Sequence, residues 1–497
     1  MVACSQLPGG WCWESATMQP EGPACGGFVI SARVSWTMAV ALALAHWAVA
    51  TMASRHNATT FDEVAHISGG MAMVVHRDYR LNPENGVLPQ LMAGAAMVAG
   101  GGRFPVVSDL GTLEGQSWRH SDSWEIGYQA LYTVGNEATR MLLLGRMAVA
   151  LSGFGTVLLV HGMARYVHGC DAVGSLLPTF LAAACPTMLA HGPLITSDGV
   201  FTFTALLSSA SIWSMLNVSA AAAELATLPL QALGAGSTKG ASWLACIAWA
   251  LATGASVGLV MVAKHSGVII APIAVLLLLV RTWNVPRHLL PGYALRVIAT
   301  IVVSVATMMV VIWGVYGFRY SAFAHLECNQ WKSNWDAGLG SQHGKLQGVP
   351  ALLVDFAKRY QLLPEAMLFG MSYAFLSTHS RACFLAGWHG TSGWRSFFPY
   401  AIAVKTPSGI FLLLSLATIA GCLLPSPSSS TNSRTSARAP SSPRKSKSPS
   451  SSPTKGCLKV RRESARFRAT PLLAVLGVYG FVAMNQNLNI GHRCACI

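Results

Sequence analysis

Apolar residues along the chain fall into blocks of about 15–25 residues, separated by segments rich in polar, charged and aromatic side chains. A helical block of that length, rising about 1.5 Å per residue, crosses a hydrocarbon core of roughly 30 Å. Because hydrocarbon offers no water to the backbone, each block is expected to be helical. We therefore predict an all-α polytopic membrane protein with about nine transmembrane helices, at 36–53, 142–161, 172–189, 200–216, 241–259, 266–281, 297–316, 399–424 and 470–486.

The composition agrees with a membrane protein. Hydrophobic residues make up 52% of the 497 residues and charged residues only 11%, whereas soluble proteins carry about 25% charged residues. A chain this poor in charge cannot cover a water-facing surface, so lipid must be the solvent for most of it.

The net charge of +15 is concentrated in one segment. Residues 425–469 hold eleven Lys and Arg residues against Glu463 alone, in a context rich in Ser and Pro. Such a segment cannot bury a core, so we predict a disordered cytoplasmic linker and no nucleic-acid partner. Two readings of the linker stay open, a solvated connection between helices and a surface that binds anionic lipids.

The positive charge also predicts the orientation of the helices. With residues 1–35 in the cytoplasm, the basic linker is cytoplasmic too, and the outer face receives the loops 54–141, 190–199 and 317–398. Long ordered loops are usually functional, so we expect the chemistry at the outer membrane–water boundary, on loops that bear interfacial helices such as 88–101. The module 36–424 would carry the activity, and 470–497 would hold the last helix and the tail.

The first outer loop begins with two adjacent acids, Asp62 and Glu63. If 61–75 is helical, Asp62 and His66 lie one turn apart on one face. A carboxylate in that position is suited to act as a general base toward a hydroxyl. The alternative is that both acids are interfacial charges that cap the start of a helix.

Five segments, in order, resemble the motifs of one family. They are FDEVAHISGG with DYRLNPENGVLPQL, PTMLAHGPLITSDGVFTF, LLPEAMLFGMSYAF, SFFPYAIAVKTPSGIFLLL and LNIGHR, spread over residues 61–493. The ordered set resembles membrane glycosyltransferases of the GT-C type, in the branch related to dolichyl-phosphate-mannose–protein mannosyltransferases. The resemblance implies a GT-C-like helical bundle and an inverting transfer of a mannose-like sugar from a polyprenyl or dolichyl phosphate to a protein or lipid hydroxyl.

The resemblance also implies roles for single residues. Asp62 would deprotonate the acceptor hydroxyl, with Glu63 as its neighbouring acid and Asp198 facing the same cleft. Glu84 would bind a sugar hydroxyl or a divalent metal, although no spacing of His, Asp or Glu demands a metal, and His66 would bind substrate unless it is a structural polar group. The leaving phosphate needs positive charge, for which the candidates are Arg80, Lys405, His492 and Arg493.

Several of these candidates have a simpler explanation. Asp198 lies at a predicted helix boundary and would also serve as a cap. Lys405 lies inside an apolar block, where a charge indicates function by default, but a lysine can also extend its amine to the membrane surface. The same positional explanation holds for Lys264 and His265.

The sequence departs from the family pattern in two places. Where the family has "N-P-E-H-P-P-L", this chain has Asn82-Pro83-Glu84-Asn85-Gly86-Val87-Leu88. Gly86 in place of proline predicts a more flexible turn, which places substrate positioning in doubt. The family pattern also continues beyond Arg493, so we expect a truncated C-terminus and an incomplete or inactive product.

The resemblance implies an active site on the lumenal or periplasmic face. The membrane would be that of the endoplasmic reticulum in a eukaryote, or the inner membrane in a bacterium. Two other classes stay open: a multi-span transporter or lipid flippase, and a non-catalytic relative of the transferase. Transporters often contain internal repeats and broken helices, and the sequence shows no convincing repeat.

Overall fold

The structure is a computed structural model that describes residues 30–109, 111–227, 239–323, 346–377, 383–390, 393–406, 408–423 and 465–485. The described part is mostly helical. Its two strands, β1 (Cys383–Leu385) and β2 (Trp388–Gly390), form an antiparallel hairpin in which Cys383 is opposite Gly390. The all-α prediction is therefore confirmed.

The helices follow one another along the chain with short connections. They are α1 (Ala32–Ser54), α2 (Phe61–His76), α3 (Val87–Ala99), α4 (Leu113–Arg119), α5 (Ser123–Tyr132), α6 (Ala138–Gly162), α7 (Leu176–Ala183), α8 (Pro186–His191), α9 (Ser197–Thr227), α10 (Lys239–Ala263), α11 (Ile270–Trp283), α12 (Leu290–Val315), α13 (Gly348–Arg359), α14 (Glu365–Ser377), α15 (Phe397–Lys405), α16 (Ser408–Leu423) and α17 (Ala465–Asn485). A π turn, Met163–Val167, extends α6, and 3₁₀ turns precede α11 and α12.

Within the described residues, six helical segments are long and apolar enough to cross a membrane. They are Ala32–Ser54, Ala138–Val167, Ser197–Thr227, Ser242–Ala263, His265–Trp283 and Arg287–Val315. The chain is thus a multi-pass integral membrane protein, but the predicted count of nine spans is not confirmed. The predicted span 399–424 is a pair of helices, α15 and α16, bent by 100°. The apolar stretch of α17, Thr470–Val482, is shorter than a span.

The predicted span at 172–189 is two short helices, α7 and α8, instead of one. They run beside α1 in the same direction: Ser35 Oγ donates to the carbonyl of Ala172 at 2.8 Å, and His46 Nδ1 lies 2.8 Å from the carbonyl oxygen of Ala183. The helix breaks before Pro186, which lacks an N–H and forces the preceding residue into an extended conformation. The broken segment still returns the chain from one end of the bundle to the other.

We call the end of the bundle at which α1 terminates the site end. There α6 and α9 begin and α10 terminates, and the helices of the first loop gather around them. Ile195, just before α9, donates its N–H to Glu63 Oε1 in α2 at 3.0 Å, which joins the second predicted outer loop to the first. The structure thereby places Asp62 and Asp198 at the same end of the bundle.

Helices α2 and α3 form a closely packed hairpin at the site end. A Cβ atom on Gly70 would lie 2.0 Å from the carbonyl oxygen of Gln90, and one on Gly94 would lie 2.1 Å from the carbonyl carbon of Gly70. The helix predicted at 88–101 therefore exists as α3, and its buried residues Val87, Pro89, Ala93 and Met97 face the protein.

The loop that departs from the family pattern is tightly held. A Cβ on Gly86 would lie 2.0 Å from the carbonyl oxygen of Ala263, and His265 Nε2 lies 2.8 Å from the carbonyl oxygen of Pro83. The expectation that Gly86 loosens this turn is therefore wrong. Glycine is the residue that allows the loop to contact the end of α10 directly.

The linker lies almost wholly outside the described residues, which omit 424–464. The same holds for 1–29 and for 486–497. The predictions made for these segments, including those for His492 and Arg493, stay predictions.

Candidate functional site

Helix α2 presents the predicted acid motif at the site end. Its start is fixed by Thr60, whose N–H and hydroxyl both donate to Glu63 Oε2, at 2.8 and 3.1 Å. The segment is helical from Phe61 to His76, so Asp62 and His66 lie one turn apart. The Asp62 side chain is exposed, whereas His66 is buried.

Glu63 and Arg146 form a buried two-point ion pair. Arg146 Nε lies 2.9 Å from Oε1 and Nη2 lies 2.7 Å from Oε2. The remaining guanidinium donors reach three backbone carbonyls after α1, those of Ser54 at 2.7 Å, Asn57 at 3.0 Å and Ala58 at 2.9 Å. Arg146 thereby ties α2 and α6 to the segment that leads into the acid motif.

Glu63 is ionised in this environment. Burial raises the pKa of its carboxyl, but the hydrogen bonds and charge of Arg146 and the N–H groups of Thr60 and Ile195 lower it, and the net pKa lies below the usual value. Both carboxylate oxygens of Glu63 already accept hydrogen bonds, so Glu63 positions the loop. Of the two adjacent acids, Asp62 is therefore the one with an exposed carboxylate.

Asp198, in the first turn of α9, pairs with Lys264 at the end of α10. The Lys264 amine lies 2.5 Å from Asp198 Oδ1, with the two side chains 36% and 70% exposed. The amine also lies 6.0 Å from the ring centre of Phe201. The pair therefore offers both a carboxylate and a cation to the surroundings at the site end.

His66 lies between these charged groups. Its side chain is only 2% exposed, and its Nδ1 has no hydrogen-bond partner among the residues that the structure describes. Burial lowers the pKa of His66. The negative charges of Asp198 and Glu63 raise this pKa and the positive charge of Lys264 lowers it, and the net pKa of His66 is about 4. His66 is therefore neutral at pH 7, and it lies close enough to the Asp198–Lys264 pair for their charges to act on its pKa.

A groove of about 130 Å³ opens beside Asp198 between α6, α8 and α9. Its wall consists mostly of small and hydroxyl-bearing residues, namely Gly153, Thr156, Thr187, Gly192, Gly199 and Thr202, with Met188 and His191. Asp198 is the acidic residue in the lining of this groove.

Arg80 does not lie on the exposed surface of the site end where Asp62, Asp198 and Lys264 are found. Its side chain is 2% exposed, its Nε lies 3.2 Å from Asp78 Oδ1, and its guanidinium lies 4.0 Å from the ring centre of Trp118. A guanidinium enclosed by an acid and an aromatic ring is held within the protein. Its position gives no support to the predicted role in binding a lipid phosphate.

The other candidates occupy different places. Glu84 is half-buried in the loop that His265 holds against α10. Lys405 is exposed in the last turn of α15, at the bend before α16, instead of inside a continuous span. Their predicted roles stay predictions. Among the described residues, no group of three or more His, Cys, Asp or Glu side chains is arranged to hold a metal ion.

Two residues of the site were missed in the sequence. Arg146 lies inside a predicted span, and a charge there is itself a signal of function or of a buried partner. The sequence predicts a positional role for Lys264, although its place at a helix boundary on the side of Asp198 indicates a partner. Comparisons with protein-family models, curated proteins and solved structures found no match.

Proposed function

We propose that the chain is an inverting glycosyltransferase that moves a mannose-like sugar from a polyprenyl- or dolichyl-phosphate carrier to a protein or lipid hydroxyl. The observation that carries the proposal is the arrangement of Asp62, His66, Asp198 and Lys264 at one end of a membrane-spanning bundle. It combines an exposed carboxylate with a partly exposed cation at a helix boundary. The ordered sequence motifs, which resemble those of GT-C-type glycosyltransferases, support the same function.

In the proposed step, Asp62 accepts the proton of the acceptor hydroxyl. The hydroxyl oxygen bonds to the anomeric carbon of the sugar, and the bond from that carbon to the carrier phosphate oxygen breaks. The electron pair leaves with the phosphate, so negative charge increases there and a nearby cation lowers the barrier. Lys264 is suited to this role, and Asp198 holds its amine in place.

The buried groups would keep this arrangement fixed. Arg146 and Glu63 hold the start of α2 against α6, so the backbone that carries Asp62 has a defined position. The site would face the lumen or periplasm, in the endoplasmic reticulum or a bacterial inner membrane respectively. A hydrophobic carrier would reach it from the bilayer.

The test is sugar transfer in membranes that contain the full chain, supplied with radiolabelled polyprenyl-phosphate mannose, glucose or arabinose. We expect label on protein or lipid with the wild type and loss of label with Asp62→Asn, because an amide cannot accept the proton. Asp109→Asn is the matched control, since Asp109 is an exposed acid of the same loop that accepts from Gly111 N–H at 2.8 Å. Equal label in wild type and Asp62→Asn would remove Asp62 from the chemistry.

A lipid flippase or transporter is the second candidate, and the break between α7 and α8 is the observation that favours it. Broken helices are common around the substrate sites of transporters, and α8 lines the groove beside Asp198. Vesicles that contain the chain and fluorescent lipid phosphates would distinguish the two. Dithionite-accessible fluorescence that rises with the chain present, without any sugar transfer by folded protein, would favour the flippase.

A further inference from the structure

Helix α13 has an apolar face that no described part of the protein covers. Four of its large apolar side chains and the adjacent tyrosine are exposed, namely Val349, Leu352, Leu353, Phe356 and Tyr360, whereas Val354 is half-buried. Leu352 is 69% exposed and Phe356 is 55% exposed, and the helix has no buried residue. At about 100° per residue, these five positions fall on an arc roughly 100° wide, so they form one continuous stripe.

Two hydrogen bonds fix the level of this helix relative to a membrane span. Trp313, in the last turn of α12, donates its Nε1–H to the carbonyl of Leu362 at 3.3 Å. Tyr320, just after α12, donates its hydroxyl to the carbonyl of Lys358 at 3.4 Å. Because α12 crosses the membrane, the C-terminal end of α13 is held at the depth where that span terminates.

The composition of α13 suits that depth. Lys358 and Arg359 lie in its last turn, and the Arg359 guanidinium lies 5.8 Å from the ring centre of Tyr360. Interfacial helices place cations and aromatic rings at the headgroup level and an apolar face toward the acyl chains. An uncovered stripe of this size in water would be unfavourable.

We propose that α13 lies in the interface of the membrane that α12 crosses, with its apolar face against the lipid acyl chains and Lys358 and Arg359 against anionic headgroups. The proposal concerns the placement of this helix on the bilayer and does not depend on sugar transfer. Helix α14, which follows α13, is anchored in the buried core through Met367 and Phe369.

The test uses the full chain in vesicles of phosphatidylcholine and phosphatidylserine, with part of the phosphatidylcholine carrying a diazirine in its acyl chain. After illumination, lipid adducts are mapped by mass spectrometry. We expect adducts on Leu352, Leu353 and Phe356, and none on Ala351, which lies on the opposite side of the helix. Adducts on the lipid-facing residues of α12 report that the chain is folded and inserted.

Two variants separate this placement from general exposure. Phe356→Glu puts a charge into the stripe and is expected to lower the adduct yield on α13 by roughly tenfold, while the yield on α12 is unchanged. Ala351→Glu adds the same charge on the opposite side and is expected to leave both yields unchanged.

Three results would overturn the proposal. One is the absence of adducts on α13 while α12 is labelled. Another is equal labelling of the stripe and of Ala351. The third is labelling of the stripe only in chains that lack residues 324–345, which would make that segment, and not lipid, the cover of the helix.

Discussion

Arg146 and Glu63 meet through two parallel hydrogen bonds, of 2.9 and 2.7 Å, at a point where both side chains are buried. The two residues come from different helices, and the guanidinium also reaches the backbone that follows α1. The acid next to Asp62 is therefore part of the framework of the site, and the framework depends on one arginine inside a membrane span.

Removing that arginine should strongly destabilise the protein. Arg146→Ala leaves Glu63 as a buried carboxylate without its cation, and loss of one partner of such a pair costs about 3–5 kcal/mol. Arg146→Lys should cost less, because it keeps the charge but loses the two-point geometry. The measurement is the free energy of unfolding in mixed micelles, followed by tryptophan fluorescence.

The control for this prediction is Arg140→Ala. Arg140 is an exposed arginine on the same helix, and its guanidinium reaches the carbonyl of Gly100 at 3.1 Å. Its removal should change the free energy of unfolding by less than about 1 kcal/mol. Equal losses in the Arg140 and Arg146 variants would contradict the role assigned to the buried pair.

Gly86 gives a second prediction about stability. A Cβ at this position would lie 2.0 Å from the carbonyl oxygen of Ala263, and backbone cannot move aside as a flexible side chain can. Gly86→Ala should therefore lower the free energy of unfolding by about 1–3 kcal/mol. Gly409→Ala is the control, because nothing lies within 4 Å of a Cβ there. If Gly86→Ala is as stable as Gly409→Ala, the contact between the loop and α10 is incorrect.

The sequence predicts a helix well where a single local pattern, such as a capping residue or an apolar block, determines whether the helix forms. The alternative that the two adjacent acids mark the start of a helix agrees with the start of α2, and six of the nine predicted spans correspond to helices long enough to cross a membrane. The break between α7 and α8 was missed because hydropathy sums side chains and ignores the backbone. Cys185-Pro186 carried the signal, since proline removes a hydrogen-bond donor and restricts the residue before it.

The site was harder to predict than the helices. Its main contacts join residues that are distant in sequence, as Glu63 and Arg146 are, and spacing contains no information about such pairs. The prediction of a flexible loop at Gly86 is wrong for a related reason. A glycine indicates either flexibility or a close contact, and only the position of Ala263 distinguishes these.

His66 should make the stability of the protein depend on pH. Its pKa is 6.5 when unperturbed and about 4 in the folded protein, so the unfolded chain binds a proton more readily. Stability is complete above pH 6.5 and falls as the pH falls from 6.5 toward 4, by about 3 kcal/mol over the whole range. The measurement is the free energy of unfolding between pH 7 and pH 5.

The range above pH 5 separates His66 from Glu63. The lowered pKa of Glu63 also reduces stability in acid, but only below its usual value of 4.5. His66→Gln cannot titrate and should reduce the slope between pH 5 and pH 6.5, whereas His120→Gln, at an exposed histidine, should leave the slope unchanged. A slope as steep in His66→Gln as in the wild type would show that other groups cause it.

The Asp198–Lys264 pair should affect sugar transfer more than stability. The side chains are 70% and 36% exposed, and a pair so exposed contributes at most about 1 kcal/mol to folding. If Lys264 faces the leaving phosphate, Lys264→Met should lower the rate of transfer by roughly 100-fold, because the charge is needed most in the transition state. Lys264→Arg should recover part of the rate, and Arg103→Met, at an exposed cation of the same end, should be neutral. A Lys264→Met variant that transfers sugar at the wild-type rate would assign the pair a purely positional role.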